Sequence, residues 1–278
     1  MMITARRSAL YVPAGNARVL EKAQTLAADV LLFDLEDAIA PEAKIAARET
    51  ISHAIQTHDY GSRERILRVN ALTTPWGRED LALAVSGGFD GVLLPKVESA
   101  VTVDDALTVM GCAMPIWVMV ETPQGVLAAH TIASHPQVQT LVMGVNDLAH
   151  AMGITDANDA AMAYAYGHCI MVAKATQCSI LSGVMNALDD SKTLRQLCVN
   201  EQRMGFDGKT VIHPKQLEIT NQVFSPSQQA ISEARGILAA WQAADGKGVV
   251  VYNGRIVEHL HVKSAQRVLA LAQKVSSF

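Results

Sequence analysis

Short apolar runs recur along the chain, each followed by a longer stretch in which apolar positions return every three or four residues. The first pattern is strand-sized and the second is helical, so the chain reads as repeated βα units. Strands are predicted at 8–12, 30–35, 66–70, 91–96, 116–121, 141–145, 180–185 and 210–213. Helices are predicted at 16–27, from Pro41 past Ile55, and from near Trp76, Ala100, Gln124, Asn158, Asp189 and Pro214. Pro41 and Pro214 open helices, while Gly87-Gly88 and Gly111 close them, the asymmetry expected of helix ends. Eight such units match a (β/α)8 TIM barrel, typically about 250 residues long. A doubly wound open sheet would carry a glycine-rich turn after its first strand, and Tyr11-Val12-Pro13-Ala14-Gly15-Asn16 is not G-x-G-x-x-G.

From Ser225 onward the repeat stops. Ser225-Pro226-Ser227 predicts a helix start, with the helix running to about Ala244 and breaking at Asp245-Gly246-Lys247-Gly248. A hairpin over 249–258, turning at Asn253-Gly254, and a last amphipathic helix follow. The expected organisation is a barrel over 1–224 and a helix-hairpin-helix extension over 225–278. The extension is too small to fold alone, so it should pack on the barrel or on a neighbouring subunit.

The composition narrows the function. The 278 residues are 50% apolar and 18% charged, with a net charge of -4, and that excludes a disordered chain. A pI near 6.1 and the absence of a basic run argue against nucleic acid. No apolar run approaches the roughly 18 residues of a membrane span. Met1-Met2-Ile3-Thr4-Ala5-Arg6-Arg7 lacks the apolar stretch of a signal peptide, and a cytoplasmic protein is expected. Cys112, Cys169, Cys178 and Cys198 have no C-x-x-C spacing and are expected to be reduced and buried.

In a (β/α)8 barrel the chemistry sits at the C-terminal ends of the strands, and here those ends are polar. They carry Asp34-Leu35-Glu36-Asp37, Arg68-Val69-Asn70, Pro95-Lys96-Val97-Glu98, Glu121, Asn146-Asp147 and His213-Pro214. Any one of them reads equally well as a helix cap or surface ion pair. Their coincidence on one rim points to a shared pocket. Carboxylates predominate, and acids facing inward need a cation. Without Cys or His pairs at zinc-like spacing, hard oxygen donors indicate Mg²⁺ or Mn²⁺. Arg68 would supply a fixed fork for a substrate carboxylate or an enolate oxygen. Schiff-base chemistry at Lys96 is disfavoured, because a lysine near Glu98 serves better as a charged partner than as a neutral amine.

Together these residues resemble the HpcH/HpaI aldolase family, in its citrate lyase β-subunit-like branch. The resemblance rests on Phe33-Asp34-Leu35-Glu36-Asp37-Ala38, Arg68-Val69-Asn70, Asp90-Gly91-Val92-Leu93-Leu94-Pro95-Lys96, Glu121-Thr122-Pro123-Gln124-Gly125, Asn146-Asp147-Leu148-Ala149 and 205–214. It implies homotrimers or hexamers in which the extension covers a neighbour's active site. It also implies Glu121 and Asp147 as Mg²⁺ ligands and Arg68 as the substrate-binding arginine. Asp34, Glu36 and Asp37 would lie around the metal waters. Pro13 and Asn16 belong to the turn that approaches a coenzyme A thioester, with Arg18 and Lys22 near its phosphates. Departures occur at Glu258-His259-Leu260-His261, where the family usually reads Asp-x-Pro, at Leu181-Ser182-Gly183 in place of Ile-Asp-Gly, and at Asn186-Ala187. The last two are expected near the acyl-binding side.

The reaction that the resemblance implies is Mg²⁺-dependent carbon–carbon cleavage of a 3-hydroxyacyl-CoA, with (S)-citramalyl-CoA giving pyruvate and acetyl-CoA as the leading substrate. Arg68 would stabilise the enolate, and Glu258 from a neighbour would carry its proton. Malyl-CoA cleavage is an alternative, with glyoxylate as the keto acid. Others are malyl-CoA hydrolysis in a malate synthase-like sequence, and citrate lyase-like or accessory action on an acyl-carrier thioester, with oxaloacetate as the keto acid. The last is a binding protein with little turnover.

Overall fold

A computed structural model describes residues 5–155, 159–244 and 248–275. The predicted break at Asp245-Gly246-Lys247 and the helix start at Asn158 lie outside them. The described chain divides into two compact units, residues 6–221 and a unit built mainly from residue 222 onward.

The larger unit is a closed barrel of eight parallel strands. They are β1 (Ser8–Pro13), β2 (Val30–Asp34), β3 (Glu64–Arg68), β4 (Gly91–Leu94), β5 (Ile116–Val120), β6 (Val138–Met143), β7 (Ser179–Ser182) and β8 (Gly208–Val211). Each pairs with its neighbour in sequence, and β8 pairs with β1 to close the ring. The helices are α1 (Ala17–Ala23), α2 (Lys44–Thr57), α3 (Gly77–Ser86), α4 (Ala100–Met110), α5 (Pro123–Ala133), α6 (Val145–Met152), α7 (Asp159–Thr176), α8 (Ser191–Met204) and α9 (Leu217–Phe224). The βα repetition is therefore present as expected. Seven of the strands stop one to three residues earlier than the apolar runs suggested, whereas β1 runs one residue further to Pro13; Glu36, Asn70, Lys96 and Glu121 stand on loops just beyond their strands.

Alternate strand residues fill the barrel. Ala9, Val30, Leu32, Ile66, Leu93, Trp117, Met119, Val142 and Leu181 form one buried cluster. Two arginines close its lower end. Arg6 lies 4.8 Å from the Trp117 ring and donates to both Glu64 oxygens at 2.7 Å and to Thr140 Oγ1 at 2.9 Å. Arg7 grips Asp29 with Nε at 2.8 Å and Nη2 at 2.6 Å, and its backbone N–H donates to the same carboxylate. Charge at the bottom of the barrel is thus fully paired and ties β1 to the chain that enters β2 and β3.

Three cysteines are buried as expected, but Cys112 is exposed. It follows Gly111, whose left-handed backbone ends α4 and turns the next residue outward.

The second unit holds α10 (Gln228–Ala243), β9 (Val250–Tyr252), β10 (Arg255–Val257) and α11 (His259–Val275). The hairpin turns at Asn253 (φ 47°) and Gly254 (φ 74°), both in the left-handed region that a two-residue hairpin loop requires. Val250, Val257 and Val262 pack with Ile237, Leu238 and Trp241. Among the described residues no helix is long and apolar enough to cross a membrane.

Asp29 is buried at 3% exposure and its partner Arg7 at 8%. Asp29→Ala would leave a buried guanidinium without its carboxylate, and such losses cost about 3–5 kcal/mol. Urea unfolding of the variant should show a midpoint well below that of the parent, while a loss under about 1 kcal/mol would mean that water replaces the carboxylate.

Candidate functional site

A cavity of about 340 Å³ opens at the C-terminal end of the barrel. Tyr11, Pro13, Asp34, Asp37, Arg68, Glu121, Asn146 and Asp147 line it, together with Met119, Met143 and Thr210. Residues at or just beyond β1, β2, β3, β5, β6 and β8 therefore meet in one place.

Arg68 ends β3 and is buried at 6% exposure. Its Nε and Nη2 donate to the two Asp34 oxygens at 2.7 and 2.6 Å. Its Nη1 lies 3.0 Å from Glu36 Oε2 and 3.1 Å from Asp37 Oδ2. The Tyr11 ring supports the guanidinium from below, 4.9 Å away. This arrangement holds the Arg68 pKa well above its ordinary value: burial opposes the charge, but the bonds to Asp34 outweigh it.

The acidic loop after β2 is held from several sides. Asp34 accepts the N–H groups of Glu36 (2.8 Å) and Ala38 (3.2 Å). The buried ammonium of Lys44 donates to the carbonyls of Leu35 (3.0 Å) and Glu36 (2.9 Å). Asn70 Nδ2 reaches the Leu35 carbonyl at 2.9 Å and Asp80 at 2.6 Å. Asn70 thus fastens the loop and is not a lining residue. Burial raises the Glu36 carboxyl to about 7 despite Arg68, whereas the Asp37 carboxyl ends below its ordinary value because bonds from Glu36 and Arg68 overcome its burial.

Glu121 follows β5 and is 4% exposed. Its Oε1 accepts the Lys96 N–H at 2.6 Å. Gly144 lies directly behind it. A Cβ there would collide with Glu121 Cβ and stand 2.7 Å from Oε2, so only glycine leaves the carboxylate in this position. Burial raises Glu121 to about 7, and the charge of Asp147 adds to the rise. Asp147 sits in the first turn of α6, a helix where the apolar pattern suggested only the end of a strand. Gly144 turns the chain there and carries Val145, Asn146 and Asp147 to the cavity wall.

Other expected residues lie elsewhere. Asn16 is exposed, and its side-chain oxygen caps α1 by accepting from Val19 N–H at 3.3 Å. Glu98 is not among the lining residues, and Lys96 faces Glu36 and Asp147 instead. His213 caps a short 3-10 turn by accepting from Lys215 N–H. Ser182 is fully buried, paired with Lys209 across β7 and β8, and is not among the residues that line the cavity. Asn186 does line it, exchanging side-chain hydrogen bonds with Asn146 at 3.1 and 3.4 Å. Glu258 belongs to the second unit, between β10 and α11, where its N–H donates to His261 Nδ1.

Among the described residues no group of three or more His, Cys, Asp or Glu side chains converges as a complete metal cage. Mg²⁺ does not need one, since it takes one or two carboxylates and fills its remaining positions with water and substrate oxygens. Glu121 and Asp147, two carboxylates on one wall, fit that donor set.

The sequence signature described as HpcH/HpaI aldolase/citrate lyase matches residues 7–214. The chain belongs to that family. It is 46% identical over 275 residues to a (3S)-malyl-CoA thioesterase of Cereibacter sphaeroides, covering 98% of this chain and 96% of that one. An L-malyl-CoA/beta-methylmalyl-CoA lyase of the same species is 32% identical over 304 residues, covering 98% and 96%. Among solved structures, the CitE protein of Mycobacterium tuberculosis in complex with magnesium, acetoacetate and coenzyme A superposes with a TM-score of 0.80 at 26% identity, covering 96% of this chain and 97% of that one.

Three features of this family member were not singled out from the sequence. Tyr11 and Lys44 sit in apolar and helical patterns that suggest only packing. Gly144 could have been noticed, because a glycine between a strand end and an acidic helix start marks a close approach.

Folded, Glu121 titrates near pH 7; in the unfolded chain its pKa returns to about 4.5. The stability carried by its protonated form is complete below about pH 4.5 and is lost as pH rises through about 7. A divalent cation held by this carboxylate would offset the loss. Mg²⁺ should therefore raise Tm more at pH 8 than at pH 6, and an equal rise at both would remove Glu121 from the ligand set.

Proposed function

We propose that this protein is a Mg²⁺-dependent enzyme acting on a malyl-CoA-type thioester, and that its overall reaction is hydrolysis to free malate and coenzyme A. The observation that carries the reading is the convergence of Arg68 with Glu121 and Asp147 in one cavity of a family member. The 46% identity to a malyl-CoA thioesterase, over nearly the whole of both chains, supports that substrate over (S)-citramalyl-CoA.

Glu121 and Asp147 would hold the ion. When bound, Mg²⁺ supplies Lewis-acid polarisation of the substrate's hydroxyl and adjacent carboxylate oxygens. Arg68 donates to the thioester oxygen as negative charge grows there. Asp34 takes Nε and one Nη2 hydrogen while Glu36 and Asp37 flank Nη1, which fixes the guanidinium and leaves the second Nη2 hydrogen to donate, so little reorganisation opposes that role. Water adds to the thioester carbon, the carbon–sulfur bond breaks, and the water's proton ends on the leaving thiolate. Pro13 lines the cavity and would border the thioester arm. Asn16 would stay outside, as the cap of α1.

Carbon–carbon cleavage is the second reading, and the same arginine favours it. An enolate puts its charge on the same thioester oxygen, and the lyase relative at 32% identity supports the chemistry. In that direction Glu258 of a neighbouring copy would exchange the proton at the enolate carbon. The exposed Val251, Ile256 and Leu260 around it support such an assembly, a trimer or hexamer.

The deciding assay offers malyl-CoA and citramalyl-CoA with Mg²⁺ and follows free thiol, malate, glyoxylate and pyruvate. Thiol with malate supports hydrolysis; keto acid without thiol supports the lyase; no turnover with either overturns both. Arg68→Lys keeps the charge but loses the fork, and kcat/KM should fall roughly 10²–10³-fold, the size of a lost oxyanion donor. In the lyase direction Glu258→Gln should lower kcat about 10²-fold or more with KM little changed. Unchanged kcat would remove Glu258 from proton transfer.

A further inference from the structure

Lys96 is an unusual residue for its place. Its φ of 50° puts a side chain in the left-handed region, where glycine is favoured and a lysine is strained. That backbone aims its N–H at Glu121 Oε1, 2.6 Å away. Its half-exposed side chain turns back over the rim, placing Nζ 3.7 Å from Glu36 Oε1 and 3.8 Å from Asp147 Oδ2. One residue therefore touches both carboxylates that the reading above assigns to the metal, through its amide on one side and its ammonium on the other. Arg68 is committed to Asp34, Glu36 and Asp37, and among the described residues the ion pair of Asp147 is with Lys96.

Resting on that reading, we propose that the Lys96 ammonium is a built-in stand-in for the divalent ion, balancing Asp147 and Glu36 when no metal is bound and exchanging places with the metal on Asp147. Two cations cannot share one carboxylate at these distances without repulsion. What the ammonium contributes to the metal-free rim is surrendered when a dication engages, and the coupling is reciprocal. The rim is thereby kept from collapsing or repelling itself between metal-binding events, at the expense of metal affinity. A side chain with half its surface in water can swing aside without unpacking the barrel.

The test measures Mn²⁺ binding to the metal-stripped full chain by loss of the free-ion electron paramagnetic resonance signal, in the parent and in Lys96→Met, Lys96→Gln and Lys96→Arg. Removing one nearby positive charge should tighten the Mn²⁺ Kd about tenfold in the Met and Gln variants. The Arg variant should stay within about threefold of the parent. The Met variant should also melt below the parent in chelator, with the gap closing at saturating Mn²⁺; a purely structural residue would lower both melting temperatures alike. An unchanged or weaker Mn²⁺ Kd in both neutral variants overturns the stand-in role. If the parent itself fails to bind Mn²⁺, the metal reading of Glu121 and Asp147 falls with it, an outcome distinct from a binding parent with unaltered variants.

Discussion

Ionised carboxylates at the mouth of an apolar barrel can exist only where positive charge is fixed beside them, and the Arg68–Asp34 fork is the anchor of that balance here. Both partners are almost fully buried and joined by two short, parallel hydrogen bonds. Such a pair is weak evidence for stability, because desolvating two charges consumes most of what their attraction returns. Its value is geometric. It fixes the end of β3 against the end of β2, and from Asp34 the loop through Glu36 and Asp37 folds back around the remaining guanidinium nitrogen. Lys44 and Asn70 then hold that loop by its carbonyls, so the side-chain oxygens are left for the rim.

The two ends of the barrel show the same residue types in different service. At the lower end Arg6 and Arg7 are matched by Glu64 and Asp29 and close off the interior over Trp117. At the upper end acids outnumber the bases: Arg68 and Lys96 face Asp34, Glu36, Asp37, Glu121 and Asp147. The raised pKa values of Glu36 and Glu121 are the signature of that imbalance, each dominated by burial and increased by neighbouring acids. Paired charge closes one end, and an excess of carboxylates over fixed cations makes the other receptive to a cation.

Much of this was legible in the sequence because a barrel converts order into position. Once eight strands are placed, their C-terminal residues must share a rim, so Asp34, Arg68, Glu121 and Asp147 could be grouped without knowing any distance. The rest was hidden for physical reasons. A strand and the extended loop after it have the same alternation, so the apolar runs overshot the hydrogen-bonded strands. The α6 helix carries Val145, Leu148, Ala149 and Met152 at helical spacing, and it was hidden because Val145 continues the apolar run of β6 and reads as the end of that strand. Asn70 and His213 were grouped with the rim for their chemistry, yet their side chains are spent on a loop anchor and a turn cap. Cys112 was expected inside by residue type, and a left-handed glycine before it decided otherwise.

The choice between hydrolysis and carbon–carbon cleavage does not turn on the rim. In both reactions negative charge develops on the thioester oxygen, and one preorganised guanidinium serves a tetrahedral oxyanion and an enolate alike. What separates them is the group that meets the thioester next. Hydrolysis needs a water at the carbonyl carbon, whereas cleavage needs a proton carrier at the adjacent carbon and exclusion of that same water. Neither requirement falls on Arg68, Glu121 or Asp147; both fall on what borders the mouth. On this chain the lining there includes the neutral Asn146–Asn186 pair, which adds polar surface without charge. A lyase depends on proton placement to within about an angstrom, so in the second reading a carrier at position 258, a glutamate with one methylene more than an aspartate, would be harder to place, whereas hydrolysis makes no such demand.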